Sequence, residues 1–256
     1  MLKISIITVC FNASKTISET LDSVGRQSHQ SIEHIIVDGA STDDTMSIIE
    51  NYRGRLSVVM SEPDQGVYDA MNKGLALASG EVIGFLNADD FYMHPDVLAK
   101  IAATMADPTI DACYADLIYV DRKQTNRVVR HWVSRDYMPG LFEKGWMPAH
   151  PTFFVRKSIY EKLGGFDLRY RLAADFDLLL RFIGKNRIRT HYVPEVWVGM
   201  RMGGMTNNSI LNILRGNIEQ YSSCCANGLR VHPLFILIKM LSRVIQFIRP
   251  HRMKLD

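Results

Sequence analysis

Cysteine is scarce in this 256-residue chain. There are four, Cys10, Cys113, Cys224 and Cys225, with no C-x-x-C spacing among them. A vicinal pair is poor disulfide geometry, so thiols in a reducing compartment are expected rather than a disulfide framework. No apolar run reaches the ~18 residues that a membrane-crossing helix needs. The start, MLKISIITVCF, has neither the longer leader nor the cleavage site of a secretory signal and is expected to open a strand. The expected location is the cytoplasm. A net charge of +3 is too small to argue for nucleic acid. Neither G-x-x-x-x-G-K-[ST] nor G-x-G-x-x-G occurs, which disfavours kinases and dehydrogenases. No repeat of 20–50 residues and no low-complexity segment is present.

What is there alternates. ISIITVCF (Ile4–Phe11), IEHIIVD (Ile32–Asp38), LSVVMSE (Leu56–Glu62) and EVIGFL (Glu81–Leu86) are near-continuously apolar, and helix-like segments separate them. In GVYDAMNKGLALA, for instance, Val67, Ala70, Met71, Gly74, Leu75 and Ala78 recur at helical spacing. Such a rhythm predicts an α/β fold with a parallel sheet covered on both faces. Beyond about residue 110 it breaks. Two strand-like runs flank the turn DRKQTN, a polar stretch leads to the helix-like VRKSIYEKLGG and AADFDLLLRFIG, and HYVPEVWVGMRM reads as a last strand. A mixed second half packed on the same sheet follows.

Ligands of open parallel sheets bind beyond the carboxyl ends of the strands. Those ends carry Thr8 to Asn12, Asp38 to Ser41, Glu62 to Gly66 and Asn87 to Asp90, all polar and all toward one edge. Ser41 or Thr42 also suits a helix N-cap, with Asp43 and Asp44 at the positive end of that helix. Asp64-Gln65-Gly66 suits a turn equally well. Asp38 closes a strand and opens no helix. Asp89 and Asp90 end a buried strand as adjacent like charges, a pattern that suits a hard divalent cation such as Mg²⁺ or Mn²⁺.

IITVCFNAS, VDGASTDDT, SEPDQGVYDAMNKG, GEVIGFLNADD and LAADFDLLLR, in this order, resemble the family 2 glycosyltransferases, with closest likeness to bacterial enzymes that assemble O-antigen or colanic-acid repeats. The resemblance covers about residues 3–200. It implies the GT-A fold over 1–205, with 1–110 binding a nucleotide sugar and 111–205 the acceptor. It places Thr8, Phe11, Asn12, Asp38, Asp64, Asn72, Asn87, Ala88 and Asp89 at the nucleotide sugar, Asp38 facing the uracil imide. Asp89 falls on the second carboxylate of a D-x-D motif whose first position is here Asn87, and Asp89 with Asp90 is the implied metal pair, for Mn²⁺ or Mg²⁺. Asp175 matches the base that takes the acceptor proton, with Ala174 where relatives often carry Glu. Helix capping is the structural alternative for Asp175. Asp177, two residues on, points away from any shared acceptor. His150 is implied near the diphosphate, metal or acceptor, or is an ordinary loop residue.

The implied activity is inverting transfer of a hexose from a UDP-sugar to a hydroxyl, with an undecaprenyl-diphosphate-linked glycan as the implied acceptor. A nucleotidyltransferase or a binding protein that has lost catalysis is the alternative. Absence of Q-x-x-R-W argues for single additions rather than chain synthesis. Residues 206–256 read as a helical basic tail. Within Pro233–Lys254, Lys239, Ser242, Arg243, Gln246 and Arg249 fall on one stripe of an otherwise apolar helix, and no acid lies between Glu219 and Asp256. That pattern suits the surface of an anionic inner membrane leaflet, peripherally bound, or packing on the domain or on a second copy in an oligomer.

Overall fold

The computed structural model describes residues 1–203 and 210–232. The cationic segment 233–254 lies outside the described residues, as do 204–209.

The first half builds the expected parallel unit. Strands β1 (Ile4–Cys10), β2 (Ile32–Asp38), β3 (Val58–Ser61) and β4 (Val82–Phe85) are all parallel, in the order β3-β2-β1-β4. Every residue of β1 and β4 is buried, as strands covered on both faces should be. Three helices connect them: α1 (Ile17–Gly25), α2 (Thr45–Asn51) and α3 (Val67–Leu77). Gly74 lets α3 lie flat on the sheet, since a Cβ there would collide with Ile7 of β1.

The chain then extends the same sheet with mixed direction. After β5 (Asp90–Tyr92) and α4 (Val97–Met105) come β6 (Ala112–Val120) and β7 (Val128–Trp132), an antiparallel hairpin around the turn read from DRKQTN. β8 (Phe154–Arg156) slots antiparallel between β4 and β6, and β9 (Thr190–Arg201) runs parallel to β6 and carries β5 on its outer side. The order is β3-β2-β1-β4-β8-β6-β9-β5, with β7 on β6. Helices α5 (Lys157–Leu163) and α6 (Ala174–Leu179) follow β8, and α6 continues in π-helical form over Leu180–Lys185.

Helix α7 (Ile210–Ala226) packs on α6. Asp177 joins them: it is 2% exposed and accepts from Ser223 Oγ (2.7 Å), Asn227 Nδ2 (3.1 Å) and Arg181 Nε (2.8 Å). Arg181 in turn holds the carbonyls of Leu163 and Gly165. The described part of the expected tail is thus built into the domain through buried polar groups. No helix among the described residues is long and apolar enough to cross a membrane.

Candidate active site

Three clusters gather at the carboxyl edge of the sheet. The first joins the ends of β1, β2 and β3. Asn12 takes a left-handed conformation (φ 50°), which Asn tolerates better than most residues. Its side-chain oxygen accepts from Thr42 N (2.9 Å), and its own N–H donates to Ser41 Oγ (2.8 Å). Asp38 is fully buried. One of its oxygens accepts from the Ser41 and Cys10 side chains, the other from Ser41 N (2.9 Å) and Ser61 Oγ (2.7 Å). Ser41 and Thr42 therefore stitch two loops together and cap nothing; α2 starts at Thr45, whose N–H goes to Asp43. Asp64 accepts Gly66 N (2.8 Å), the turn arrangement, and its other oxygen lies against Gly39, where any Cβ would displace it. Phe11 packs beside Gly39 yet remains 63% exposed, a large ring left open at this edge.

The second cluster follows β4. Asn87 Oδ1 and both Asp90 oxygens are buried without hydrogen-bond partners. Asp90 is fully buried, and that burial, reinforced by the Asp89 charge, pushes its carboxyl well above the usual range. Asp89 is only partly buried; desolvation raises its carboxyl too, against the pull of Arg201 and Arg122. Arg201 of β9, 5% exposed, donates to the Asp89 carbonyl (2.6 Å) and to the Glu19 carboxylate. Among the described residues no three His, Cys, Asp or Glu converge as a protein-built metal cage. The unpartnered oxygens of Asn87 and Asp90 beside Asp89 nevertheless fit a hard cation, which often keeps waters and shares phosphate oxygens. A cation there would offset the burial of Asp90 and the repulsion of Asp89, which Arg201 relieves only in part.

The third cluster lies mainly on the mixed second half. Asp175, partly exposed in the first turn of α6, accepts Tyr68 OH (3.0 Å) and Phe176 N (2.8 Å) on the same oxygen, Oδ1. His150 is 6% exposed, stacked on Phe85 (5.6 Å) and edge-on to Phe166 (5.5 Å), and its Nε2 has no partner. Burial pushes its pKa down, with Asp175 pulling it partly back, so the imidazole is neutral at pH 7. Phe85 ends β4, two residues before Asn87, which ties the second cluster to the third.

Three residues expected at the nucleotide sugar have side chains engaged within the fold. Thr8 has no exposed surface; its hydroxyl pairs with His34 Nε2 (3.0 Å) inside the sheet, where burial keeps the imidazole neutral with a pKa of about 3. Ala88 is buried against Ile17, Leu21 and Ile36. Asn72 gives both ends of its amide to the Phe166 backbone, each at 2.9 Å. Asp177 does point away from Asp175, to α7. Sequence reasoning missed Tyr68, Arg201 and Glu219. The Glu219 carboxylate, from α7, accepts Leu172 N (2.8 Å) and Ala173 N (3.0 Å) just ahead of α6. It thereby places an acid at the start of the helix where Ala174 left one missing.

A parallel α/β half that gathers polar loops at its carboxyl edge, joined to a mixed half bearing a partly exposed carboxylate, defines a GT-A transferase architecture. Solved structures share it. Staphylococcus aureus TarS 1-349 in complex with UDP superposes with a TM-score of 0.66 at 20% identity, over 90% of this chain and 67% of that one. The mannosyltransferase PcManGT from Pyrobaculum calidifontis, in complex with GDP-Man and Mn²⁺, gives 0.68 at 22%, over 94% and 69%. In sequence, residues 5–164 match the model of glycosyl transferase family 2. A PGL/p-HBAD biosynthesis glycosyltransferase of Mycobacterium bovis is 32% identical over 211 residues, 81% of this chain and 80% of the relative. The chain belongs to glycosyl transferase family 2.

Proposed function

We propose that this glycosyltransferase moves a hexose, with inversion, from a UDP-sugar to a hydroxyl of a lipid-linked glycan, of the undecaprenyl-diphosphate type, in surface polysaccharide assembly at the inner membrane face. The observation that carries the reading is Asp175. One carboxylate oxygen is held by two donors, and among the described residues no hydrogen bond reaches Oδ2, as a base awaiting an acceptor proton requires. The UDP and GDP-Man bound by the structural neighbours support a nucleotide-diphosphate-sugar donor.

In this reading the exposed Phe11 ring stacks on the base, Asn12 and Asp64 line the nucleotide edge, and Asp38 meets the base by exchanging one of its present donors. Asn87, Asp89 and Asp90 would hold Mn²⁺ or Mg²⁺, which supplies positive charge at the departing diphosphate. His150, neutral and buried beside Asp175, is placed to accept or donate one hydrogen bond to the acceptor. Asp175 Oδ2 takes the acceptor proton as the new glycosidic bond forms and UDP leaves, a role worth roughly 10²–10⁴-fold in rate.

The test is UDP release from nucleotide sugars with Mn²⁺ present. Asp175→Asn should lower kcat by about two to four orders of magnitude with donor binding kept, and EDTA should abolish turnover until Mn²⁺ or Mg²⁺ is restored. Near-normal kcat in Asp175→Asn refutes the base, full activity in EDTA refutes the metal, and release of pyrophosphate refutes the reaction class.

A further inference from the structure

We propose that Tyr68 is the positioning residue of the catalytic carboxylate: from α3 its hydroxyl fixes Asp175 so that Oδ2 alone faces the acceptor. The inference rests on the reading of Asp175 as base. A carboxylate on a helix turns about its own bonds, and a base is effective only when the accepting oxygen stays aligned with the hydroxyl. Tyr68 OH and Phe176 N both donate to Oδ1, at 3.0 and 2.8 Å, and among the described residues no donor holds Oδ2.

The phenol is itself well anchored. Its ring stacks on Phe166 at 5.5 Å and 28°. Asn72, one turn further along the same face of α3, clamps the Phe166 backbone through both ends of its amide. Burial, then the negative charge of Asp175 and its hydrogen bond, with a smaller push from Glu219, raise the Tyr68 pKa well above the ordinary phenol value. The hydroxyl therefore keeps its proton and serves as a permanent donor. Gly66, the residue just ahead of α3, donates its N–H to Asp64 on the nucleotide edge. One element of the donor half thus sets the orientation of the base in the acceptor half.

The chemical step is balanced without Tyr68 losing its proton. The acceptor O–H proton passes to Asp175 Oδ2, the acceptor oxygen bonds to the sugar anomeric carbon, and the bond from that carbon to the diphosphate breaks with its electron pair leaving on UDP.

Tyr68→Phe keeps the ring and its stack and removes only the hydroxyl. UDP release is followed from whichever of UDP-glucose, UDP-galactose, UDP-N-acetylglucosamine and GDP-mannose (GDP release for the last) gives turnover, with water as acceptor if no saccharide accepts. The expected result is a fall in kcat of roughly 10- to 100-fold with donor KM within about twofold. Tyr114→Phe, which removes another tyrosine hydroxyl, one that donates to the Arg135 carbonyl (2.8 Å), should lower Tm and leave kcat within about threefold. Tyr68→Phe added to Asp175→Asn should slow the enzyme no further, because the two act as one unit. Wild-type kcat in Tyr68→Phe with Asp175→Asn inactive overturns the proposal and spares the base. A slow Tyr68→Phe beside an active Asp175→Asn overturns both. Additive slowing in the double variant, or a Tyr114→Phe loss equal to that of Tyr68→Phe, overturns the positioning role.

Discussion

Asp177→Ala should unfold the protein far more readily than a single side chain suggests. The carboxylate is almost wholly buried and holds three donors, of which the Arg181 guanidinium carries charge and is itself 19% exposed. Removing it leaves Arg181 fixed to the carbonyls of Leu163 and Gly165 with no negative partner. It also leaves Ser223, fully buried, without its acceptor. Breaking one side of such a buried pair costs about 3–5 kcal/mol. At 2–4 °C per kcal/mol for a chain of this size, Tm should fall by roughly 10 °C. Ser223→Ala, which deletes one neutral donor, should cost only about 1 kcal/mol. Thermal melts and urea midpoints of both variants read this directly. Replacing both Asp177 and Arg181 by apolar residues of similar volume should recover a good part of the loss, since no charge is then stranded. If Asp177→Ala melts within about 2 °C of the parent, the network does not hold α6 to α7, and the reasoning fails.

Two further expectations concern acid and membranes. Burial opposes ionisation of Glu33, but Lys3 Nζ (2.8 Å), Ser5 Oγ (2.6 Å) and Ser79 outweigh it and hold the carboxyl down from 4.5 to about 2. Its contribution is therefore complete above the unfolded value and lost as pH falls through the folded one: the urea-midpoint gap between parent and Glu33→Gln should be constant above about pH 5 and close steadily toward about pH 2.5, whereas a gap independent of pH refutes it. Intact protein should float with anionic liposomes, less so in high salt, and truncation after Val231 should abolish flotation; equal partitioning of the two forms rules out a membrane role for the cationic segment.

The first half was legible because its central strands are buried on both faces. Ile4–Cys10 and Ile32–Asp38 leave no polar alternation to mislead, and the carboxyl-end rule then points at Phe11, Asn12, Asp64 and Asn87 to Asp90. Strands β5 and β8 are three residues each, too short for any period to register. Within the site, what went unread shares a cause. Asn72 holds a backbone 94 residues away, and Ser41 looks like a cap but serves loops joined across the sheet edge. Tyr68 fits an ordinary helix turn, and its value comes from Asp175, 107 residues on. Polar side chains declare their type in a sequence and not their partner.

Glu219 and Ser223 also settle where this protein can be cut and recombined. The family-matched region ends at residue 164, ahead of Asp175, and a boundary at the end of β9 looks natural from the strand order. A cut at the end of β9 strips the helix bearing Asp175 of the acid bonded to Leu172 and Ala173 and of the hydroxyl on Asp177, and a cut at residue 164 removes that helix altogether. A chimera that borrows the second half of a relative must therefore bring that relative's counterpart of α7 with it. The transplantable unit runs from β6 through α7, and a first half stitched to anything shorter inherits a helix with its clasp left behind.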